Sequence, residues 1–425
     1  MSLQPQEQMQ SINQVIKSEY VNFKPLKDSS ILIRDGMTTI YFQKGAIFNS
    51  YLNDSSSELL FKLVKCEAKL LRSVLETNGF TQSDTHDWNL IWSSQSYKLQ
   101  TYDNLSEYQK INHFPNSFEL TRKDRLCANI VKMQEKFGKC NFNIIPDTYN
   151  LPDEFADFYS HFHSIKKKIS DQEKSFKNQW IIKPTNSSQG KGIFIIDDIS
   201  EVPIDEQCVV SKYIHNPLLI NGLKFDVRIY VMVTSLSPWR IYVYHEGLAR
   251  FASDEYTHEN IKSNKYAHLT NYSINKKSEK FVQNQNAESS EEGHKWSLSA
   301  LSKQFEQMGI DNDLLWARIY DLIIKSLMSV DSHIQPHIKR MSNKNCFELF
   351  GFDVLIDQNL KPWLMEVNLS PSLACDSPID LKIKHGLFVD SMNLISMKRF
   401  DRKRENLKKM KQTAINIVRS KSFQK

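Results

Sequence analysis

Residues 346–373 read CFELFGFDVLIDQNLKPWLMEVNLSPSL and predict two apolar strands joined by a turn at residues 357–359. Asp353 interrupts the first strand. Glu366 and Asn368 interrupt the second at a spacing of two, so both point to the same face. Acidic side chains are rarely buried without a partner, and an isolated buried carboxylate is strongly disfavoured. Two carboxylates and an amide oxygen on neighbouring strands suit Mg²⁺, which shares its remaining positions with water and nucleotide phosphates.

An alternative interpretation of the same stretch is a strand hairpin whose polar residues lie at a solvated edge. Phe, Leu, Val, Trp and Met residues flank the polar positions on both sides, which argues against that alternative. The sequence therefore predicts a magnesium site on this hairpin.

Length and composition set the broad class. The 425 residues have room for two or three domains, and 40% hydrophobic with 24% charged residues is an ordinary globular composition. No apolar run approaches the roughly 18–20 residues that span a bilayer, and the amino terminus lacks a secretory pattern. Six cysteines without CxxC spacing argue against a disulfide framework or a zinc site and are typical of a reducing cytosol.

The net charge of +6 is distributed unevenly along the chain. Residues 398–425 contain eleven Lys or Arg and two Asp or Glu, so this tail carries a local excess of nine positive charges. Such a tail predicts a polyanionic partner, such as an acidic protein surface, nucleic acid or an anionic membrane. A solvated helix end without a specific role is the alternative.

A glycine-containing loop, NSSQGKG at residues 186–192, lies between two predicted apolar strands. Glycines let the backbone approach a ligand closely, and successive N–H groups in such a turn bind anions. Neither the Walker A spacing nor GxGxxG is present, so the pattern predicts a hairpin lid over phosphates or a plain hairpin turn. Lys183, at the end of the preceding strand, is well placed to neutralise a phosphate.

A third cluster is the strand segment KFDVR at residues 224–228, in which Lys224, Asp226 and Arg228 share one face. These charges either pair among themselves or form a charged floor beneath a nucleotide. Arg suits bidentate binding of phosphate or carboxylate. Arg250 is a further cation among apolar residues. The glycine loop, Lys183, the charged strand and the hairpin with the predicted magnesium site occur together in one chain. Such a combination would allow phosphoryl transfer by positioning of the reactants and neutralisation of their charge.

In this order, the motifs WIIKP, QGKG, KFDVRIYV, LARFA, HLTNYSINKK, GFDVLID and KPWLMEVNLSPSL make the chain resemble the tubulin tyrosine ligase-like enzymes, which have the ATP-grasp fold. The resemblance covers roughly residues 38–393. Among subgroups, the segments HFPNSFELTRKDRL, GHKWSLSAL and EVNLSPSL resemble the polyglutamylases. The resemblance implies an ATP-dependent ligase that joins L-glutamate to side-chain carboxylates in the acidic C-terminal tails of tubulin.

The same resemblance implies roles for individual residues. Those expected to contact ATP are Lys123, Lys183, Gln189, Gly190, Ser211, Lys212, Tyr213, Ile214, Lys224, Asp226, Thr270 and Asn271. Residues 211–214 are expected to read the adenine edge through their backbone. Residues expected to line the incoming glutamate are Arg250, Tyr272, Ser273, Lys295 and Lys384. Asp353, Glu366 and Asn368 are expected to bind Mg²⁺. The expected catalytic residues are Arg228, which would steady the acyl-phosphate, together with Lys183 and Glu366.

Two positions expected to contact the protein substrate depart from the family pattern. In the family, Gln at position 189 accompanies chain-elongating enzymes, which carry His after the Glu-x-Asn motif. Enzymes that place the first branch glutamate carry Arg and an apolar residue at these positions. This chain combines Gln189 with Leu369, so initiation and elongation both remain open.

The predicted architecture is a mixed α/β (α+β) fold. Its segments are a disordered amino terminus (1–28), an N-terminal α/β domain (29–178), a central ATP-grasp lid domain (179–245), a C-terminal catalytic domain (246–395) and a basic helical tail (396–425). Within the first domain, the apolar spacing of residues 57–75 predicts a helix.

Other functions remain as alternatives. A glycine or tyrosine ligase of the same fold is one, and an inactive microtubule-binding relative is another. Nucleic-acid binding is disfavoured because the tail has few aromatic residues and no recognisable module. The expected location is the cytoplasm and cytoskeleton, with a cilium or basal body as further sites, and a monomeric state is expected.

Overall fold

The computed structural model describes most of the chain outside its two ends. The described residues are 32–34, 37–40, 42, 59–103, 105–171, 178–185, 187, 190–203, 205–259, 261–286, 291–339, 341, 345–398, 407 and 410–416. The segment predicted to be disordered (1–28) and most of the predicted basic tail (396–425) lie outside these ranges.

The predicted mixed α/β class is confirmed, and the strands form four sheets. A two-stranded sheet contains β1 (Leu32–Arg34) and β2 (Met37–Thr39). A parallel sheet contains β3 (Leu59–Val64), β4 (Phe80–Gln82), β5 (Leu90–Ser93) and β6 (Lys110–Ile111). An antiparallel sheet contains β7 (Thr148–Leu151), β8 (Trp180–Pro184), β9 (Phe194–Ile196) and β10 (Cys208–Lys212). The six-stranded sheet contains β11 (Leu219–Ile220), β12 (Leu223–Leu236), β13 (Trp239–Phe251), β14 (Lys295–Ser297), β15 (Glu348–Ile356) and β16 (Pro362–Asn368).

Helices connect and cover these sheets. They are α1 (Lys69–Thr77), α2 (Phe118–Thr121), α3 (Lys123–Phe137), α4 (Phe155–Asp171), α5 (Lys265–His268), α6 (Tyr272–Asn275), α7 (Leu298–Gln307), α8 (Asn312–Ser329), α9 (Asp331–Ile338) and α10 (Pro378–Ile395). In the described part of the chain no helix is both long and apolar enough to cross a membrane. All six cysteines are unpaired in this structure.

The helix predicted over residues 57–75 is wrong for its first half. Residues 59–64 form β3, which pairs in parallel with β4 on one side and β5 on the other. Phe61 is fully buried there. β3 lies between two neighbouring strands of a parallel sheet, and five of its six residues (LLFKLV) are apolar, so its apolar spacing resembles that of a helix. The helix itself, α1, begins at Lys69.

The six-stranded sheet is the centre of the molecule, with strand order β14-β13-β12-β15-β16 and β11 pairing with β12. One face packs on α7 and α8 through Phe225, Ile229 and Phe352. The other face packs on α10 and the parallel sheet through Tyr230 and Met232. Because side chains alternate along a strand, Asp226 and Arg228 lie on the same face as Tyr230 and Met232. Asp226 and Arg228 therefore lie on the face of the sheet that α10 covers.

Strand pairing crosses both internal domain boundaries that the sequence predicts. β7, before the boundary at residues 178/179, pairs with β10 beyond it. The boundary at residues 245/246 falls inside β13. The division into domains stays a prediction, and the sheets themselves take strands from both sides of each boundary.

The amino-terminal part is tied to the large sheet by a buried polar contact. His113 Nδ1 lies 2.8 Å from Glu348 Oε1, and the amide of Phe114 donates to Glu348 Oε2 at 3.0 Å. His113 Nε2 lies 2.9 Å from the carbonyl oxygen of Ser93. Burial raises the pKa of Glu348, although the hydrogen bond from His113 opposes this rise. Glu348 is the first residue of β15, so this contact positions the strand that carries Asp353.

We therefore expect Glu348→Ala to destabilise the fold by about 3–5 kcal/mol, because it leaves a buried imidazole and a buried amide without their acceptor. Chemical denaturation monitored by circular dichroism would measure this loss. The matched control is Asp321→Ala, which removes the exposed i,i+4 partner of Lys325 and should cost less than about 1 kcal/mol. Equal losses in the two variants would contradict the structural role of Glu348.

Candidate functional site

A row of charged side chains crosses three adjacent strands of the six-stranded sheet. Arg228 on β12 lies opposite Asp353 on β15, and Asp353 lies opposite Glu366 on β16. A register shift follows directly after the Asp353–Glu366 pair. Such irregularities bend a strand and redirect its side chains. The structure therefore brings together the three residues that the sequence selects from two distant segments.

A second charged row lies beside the first. Asp226 on β12 is opposite Arg250 on β13, and Arg250 is opposite Lys295 on β14. Asp226 and Arg228 are two residues apart on one strand, so both rows lie on the same face. Together the rows span five strands and form the floor of the candidate site.

Two arginines hold Asp353 between them. Arg228 bonds to both oxygens of Asp353, with Nη2 3.0 Å from Oδ2, and Arg250 Nη2 donates to the same Oδ2 at 2.8 Å. Arg250 Nε also donates to Asp226 Oδ1 at 2.8 Å. Burial opposes ionisation of Asp353, but the two guanidinium groups hold its pKa well below the usual range. Asp353 is therefore a carboxylate at neutral pH.

Glu366 and Asn368 complete the predicted metal-binding set. Asn368 Nδ2 donates to Glu366 Oε1 at 3.2 Å and to the carbonyl of Gly351 at 3.2 Å. Burial raises the pKa of Glu366, and the neighbouring Asp353 raises it further. A cation beside these carboxylates would favour their ionised forms.

The donor set fits a hard cation with few protein ligands. Among the residues that the structure describes, no three His, Cys, Asp or Glu side chains are placed to hold a metal ion. The predicted set instead supplies two carboxylates and one amide oxygen, and Asp353 already accepts bonds from two arginines. Mg²⁺ is commonly held by one or two carboxylates together with water and phosphate oxygens, so this set is sufficient for it.

The glycine loop approaches the segment at residues 271–274. Gly190 and Gly192 adopt φ values of 75° and 70°, which glycine tolerates best. A Cβ at Gly190 would lie 2.7 Å from Ile274 Cδ1 and 3.1 Å from Asn271 Cγ. The loop therefore lies against the segment containing Thr270 and Asn271, both predicted to contact ATP. Gln189 lies outside the described residues.

Lys123 contacts both this loop and Glu366 on β16. It is the first residue of α3, and its Nζ donates to the carbonyl of Ser187 at 2.9 Å. The same Nζ lies 3.8 Å from Glu366 Oε2. Lys123, Lys183, Ser211 and Glu366 line one cleft. Burial lowers the pKa of the Lys183 ammonium, and Glu366 opposes that change. Predicted ATP-contacting residues from three separate segments are thus brought to one place.

Lys224 occupies a buried polar pocket beside this cleft. Its Nζ donates to Tyr213 Oη at 3.1 Å and to the carbonyl of His268 at 2.9 Å, and it lies 4.7 Å from the centre of the Tyr213 ring. Burial lowers the pKa of Lys224 to about 7, although Asp226 opposes this change. The charge of this side chain therefore changes within the neutral pH range.

The predicted adenine-reading segment, residues 211–214, has two of its amides already bonded. The amide of Lys212 donates to the carbonyl of Asp147, and that of Tyr213 donates to the carbonyl of Gln179. Ser211 Oγ accepts a bond from Thr148 Oγ1. The Lys212 side chain bonds to Asn178 Oδ1 at 2.9 Å and lies over the Trp180 ring. Base contacts by this segment stay a prediction and would involve its other backbone groups, including those of Ile214.

Three of the residues predicted to line glutamate, Tyr272, Lys295 and Lys384, lie together near the start of α10, whereas Arg250 bonds to Asp226 and Asp353. Lys295 Nζ donates to Asp380 Oδ2 at 2.6 Å, and Lys384 Nζ lies 3.1 Å from Asp380 Oδ1. Lys295 Nζ lies 4.2 Å from the centre of the Tyr272 ring. Ser273 follows Tyr272 in α6. Leu369, predicted to contact the protein substrate, is half-buried directly after β16.

Asp380 is a residue of this site that the sequence analysis missed. It is 1% exposed and accepts a bond from Ser377 Oγ at 2.8 Å. Burial opposes its ionisation, but Lys384 and Lys295 lower its pKa. Two sequence signals pointed to it: the spacing of four to Lys384 on a helix, and the Ser-x-x-Asp pattern at a helix start.

Known proteins resemble this chain over most of its length. A family model described as the tubulin-tyrosine ligase family matches residues 101–405. The human tubulin polyglutamylase TTLL5 is 45% identical over 343 residues, which are 79% of this chain and 26% of that protein. The tubulin polyglutamylase ttll-5 of Caenorhabditis elegans is 45% identical over 353 residues, which are 81% of this chain and 48% of that protein.

A relative with a different named activity also matches. The human tubulin monoglutamylase TTLL4 is 39% identical over 341 residues, which are 79% of this chain and 27% of that protein. The chain thus spans from about a quarter to a half of the length of these curated relatives.

The paired charges of the site yield a stability prediction. Arg250→Ala leaves the buried Asp226 and Asp353 without a shared partner and is expected to cost about 3–5 kcal/mol. Arg122→Ala is the matched control, because Arg122 is 46% exposed and pairs with Asp124 at the surface, where such pairs contribute less than about 1 kcal/mol. Urea unfolding of both variants would measure the difference. A loss at Arg250 as small as that at Arg122 would contradict the proposed ion-pair network.

Proposed function

The chain belongs to the tubulin-tyrosine ligase family, and we propose that it is an ATP- and Mg²⁺-dependent ligase that adds L-glutamate to glutamate side chains in the acidic C-terminal tails of tubulin. Two of the relatives described above are named tubulin polyglutamylases, and they are 45% identical to this chain. The observation that carries the proposal is the meeting of Asp353, Glu366 and Asn368 with Arg228 on one sheet face beside the lysine-lined cleft.

Amide formation from a carboxylate at neutral pH requires an activated acyl group. In the proposed reaction a carboxylate oxygen of the tubulin side chain attacks the γ-phosphorus of ATP, so that an acyl-phosphate forms and ADP leaves. The uncharged amine of free glutamate then attacks the acyl carbon. Inorganic phosphate leaves with the bonding electron pair, and the new amide loses a proton to solvent. This route needs no covalent bond to the protein.

The residues of this chain bind and orient the reactants. Lys123 and Lys183 flank the phosphate-binding cleft, and the glycine loop at Gly190 covers it. Arg228 lies beside Asp353 and would steady the negative charge of the acyl-phosphate. Bound at Asp353, Glu366 and Asn368, Mg²⁺ would supply charge neutralisation for the phosphate oxygens. These charges would thereby allow the anionic carboxylate of tubulin to approach the anionic phosphates of ATP.

Three cations in or beside the second charged row are suited to binding an anionic amino acid. Arg250, Lys295 and Lys384 surround the region that we assign to free glutamate, and Tyr272 forms one wall. Free glutamate carries two carboxylates, whereas glycine carries one, so a glycine ligase would need one fewer cation. This difference supports glutamate over glycine or tyrosine.

The wider setting is part of the same proposal. The tail at residues 398–425, with its excess of positive charge, would concentrate the polyanionic tails of tubulin near the site. We propose that the enzyme acts as a monomer in the cytoplasm and on the cytoskeleton, with the cilium or basal body as further locations. Initiation and elongation both remain open, because Gln189 and Leu369 combine features of the two classes.

Glu366→Gln tests the proposed chemistry. It removes one of the two carboxylates assigned to the metal while keeping the shape of the side chain. Incorporation of labelled glutamate into tubulin, measured by mass spectrometry of the C-terminal tails, is expected to fall about 100-fold or more. Glu76→Gln, on the exposed side of α1, is the matched control and should retain activity. Microtubule binding should remain unchanged in both variants.

The same assay separates the alternatives. Incorporation of labelled glycine or tyrosine in place of glutamate would assign a different ligase activity on this fold. If the unmodified protein and Glu366→Gln both bind microtubules but neither hydrolyses ATP with tubulin present, the protein is an inactive relative.

The pKa of Lys224 generates a pH prediction. With a pKa of about 7 in the free protein, Lys224 loses its charge as pH rises from 7 to 9. A nearby phosphate favours the protonated form, so ATP binding should weaken by at least about tenfold over that range. Isothermal titration calorimetry with a non-hydrolysable ATP analogue measures this change. Lys224→Met should bind more weakly at pH 7 with a flatter pH dependence. An unchanged pH dependence in that variant would assign the effect to another group.

A further inference from the structure

We propose that Asp380 is a positioning residue for the incoming amino acid: it fixes Lys295 and Lys384 so that their remaining N–H groups bind one carboxylate of that substrate. This inference rests on the proposed function, because it names a residue that builds the glutamate subsite. Asp380 itself does not contact the substrate in this account and acts through the two lysines.

The geometry places one carboxylate between two ammonium groups from different elements. Lys295 comes from β14 at the edge of the large sheet, and Lys384 comes from the second turn of α10. Each lysine approaches a different oxygen of Asp380, at 2.6 Å from Oδ2 and 3.1 Å from Oδ1. Ser377 Oγ donates to Oδ2 at 2.8 Å and so fixes the orientation of the carboxylate.

Burial makes this arrangement costly unless the charges are paired. Asp380 is 1% exposed, Lys384 5% and Lys295 6%. Two buried ammonium groups that close to each other would repel, and both would be driven toward their neutral forms. Asp380 offsets that repulsion. Two lysines and one carboxylate then leave one net positive charge, which a single substrate carboxylate would neutralise.

The lysines retain hydrogen-bonding capacity for a ligand. An ammonium group has three N–H donors. Lys295 uses one on Asp380, and its Nζ also lies 4.2 Å from the centre of the half-buried Tyr272 ring. Lys384 uses one on Asp380 and another on the carbonyl of Ala374. Donors on both lysines therefore remain, and Arg250 lies directly opposite Lys295 in the sheet. This places the subsite next to the ion pairs around Asp353.

Asp380→Asn tests the inference by direct binding. With a non-hydrolysable ATP analogue present, calorimetry should show glutamate affinity reduced by about tenfold or more, which is the effect of losing one charge-assisted bond. Affinity for the analogue itself should be unchanged. In steady-state assays the KM for glutamate should rise while the KM for ATP stays constant. A variant that is merely destabilised would not separate the two substrates in this way.

Two further measurements test that Asp380 acts through the lysines. In the Lys384→Met background, adding Asp380→Asn should weaken glutamate binding by a smaller factor than it does alone. NMR titration of ¹³Cε-labelled lysine should show the pKa of Lys384 falling in Asp380→Asn, because the carboxylate charge that raises it is lost. Fully additive binding effects or an unchanged titration of Lys384 would overturn the inference.

Control variants distinguish a specific role of Asp380 from a general effect of replacing a carboxylate. Asp331→Asn also replaces a carboxylate in the first turn of a helix that accepts side-chain hydrogen bonds, from Trp239 and Gln335, and it should leave glutamate binding unchanged. If Asp380→Asn fails to fold, Ser377→Ala removes only the orienting hydrogen bond and should still weaken glutamate binding by about two- to fivefold. Absence of glutamate binding in the unmodified protein would refute the proposed function, whereas normal binding in both Asp380→Asn and Ser377→Ala would refute this inference alone.

Discussion

Asp353 lies inside a six-stranded sheet, at a position where an ionised carboxylate is tolerated only because two guanidinium groups bond to it. Arg228 lies on β12 and Arg250 on β13. Their bonds to Asp353 depend on the register of β12, β13 and β15, so this register determines whether Asp353 is stabilised as a carboxylate. Among the described residues, no pair of arginines bonds to the adjacent Glu366, and burial raises its pKa. In the proposed function the metal ion binds beside these two carboxylates, where its charge would favour the ionised form of Glu366. The strands of the same sheet also position the other charged residues of the site.

Every cation predicted to bind the amino acid also has an acidic partner within the protein. Arg250 is paired with Asp226 and Asp353, while Lys295 and Lys384 share Asp380. Such pairing keeps buried cations charged before the substrate arrives, because each ammonium or guanidinium already has a counter-charge. It also restricts side-chain freedom, so less ordering is required on binding. In the proposed function, this pairing would pre-organise the site for an anionic amino acid while leaving only a small excess of positive charge.

The relatives described above include both polyglutamylases and a monoglutamylase, and all cover this chain to a similar extent. Overall similarity to these relatives therefore does not separate the chain-elongating from the initiating activity. Residues at the rim of the site, where the protein substrate enters, are the better place to look for that difference. Leu369 directly follows β16, which carries Glu366 and Asn368, so in the proposed function it would lie near the acceptor carboxylate.

The sequence by itself determined the hairpin of Asp353, Glu366 and Asn368, the charged face of β12 and the glycine loop, because strand alternation and turn chemistry are local properties that residue spacing records. It failed at residues 59–64, where a strand between two neighbours in a parallel sheet has the apolar density of a helix. It also missed Asp380, whose partner Lys295 lies 85 residues away. Only the tertiary structure decided that Arg250 bridges Asp226 and Asp353, and that two lysines share one carboxylate. Those pairings depend on strand register and on where α10 begins over the sheet, and neither is encoded in the spacing of any single segment.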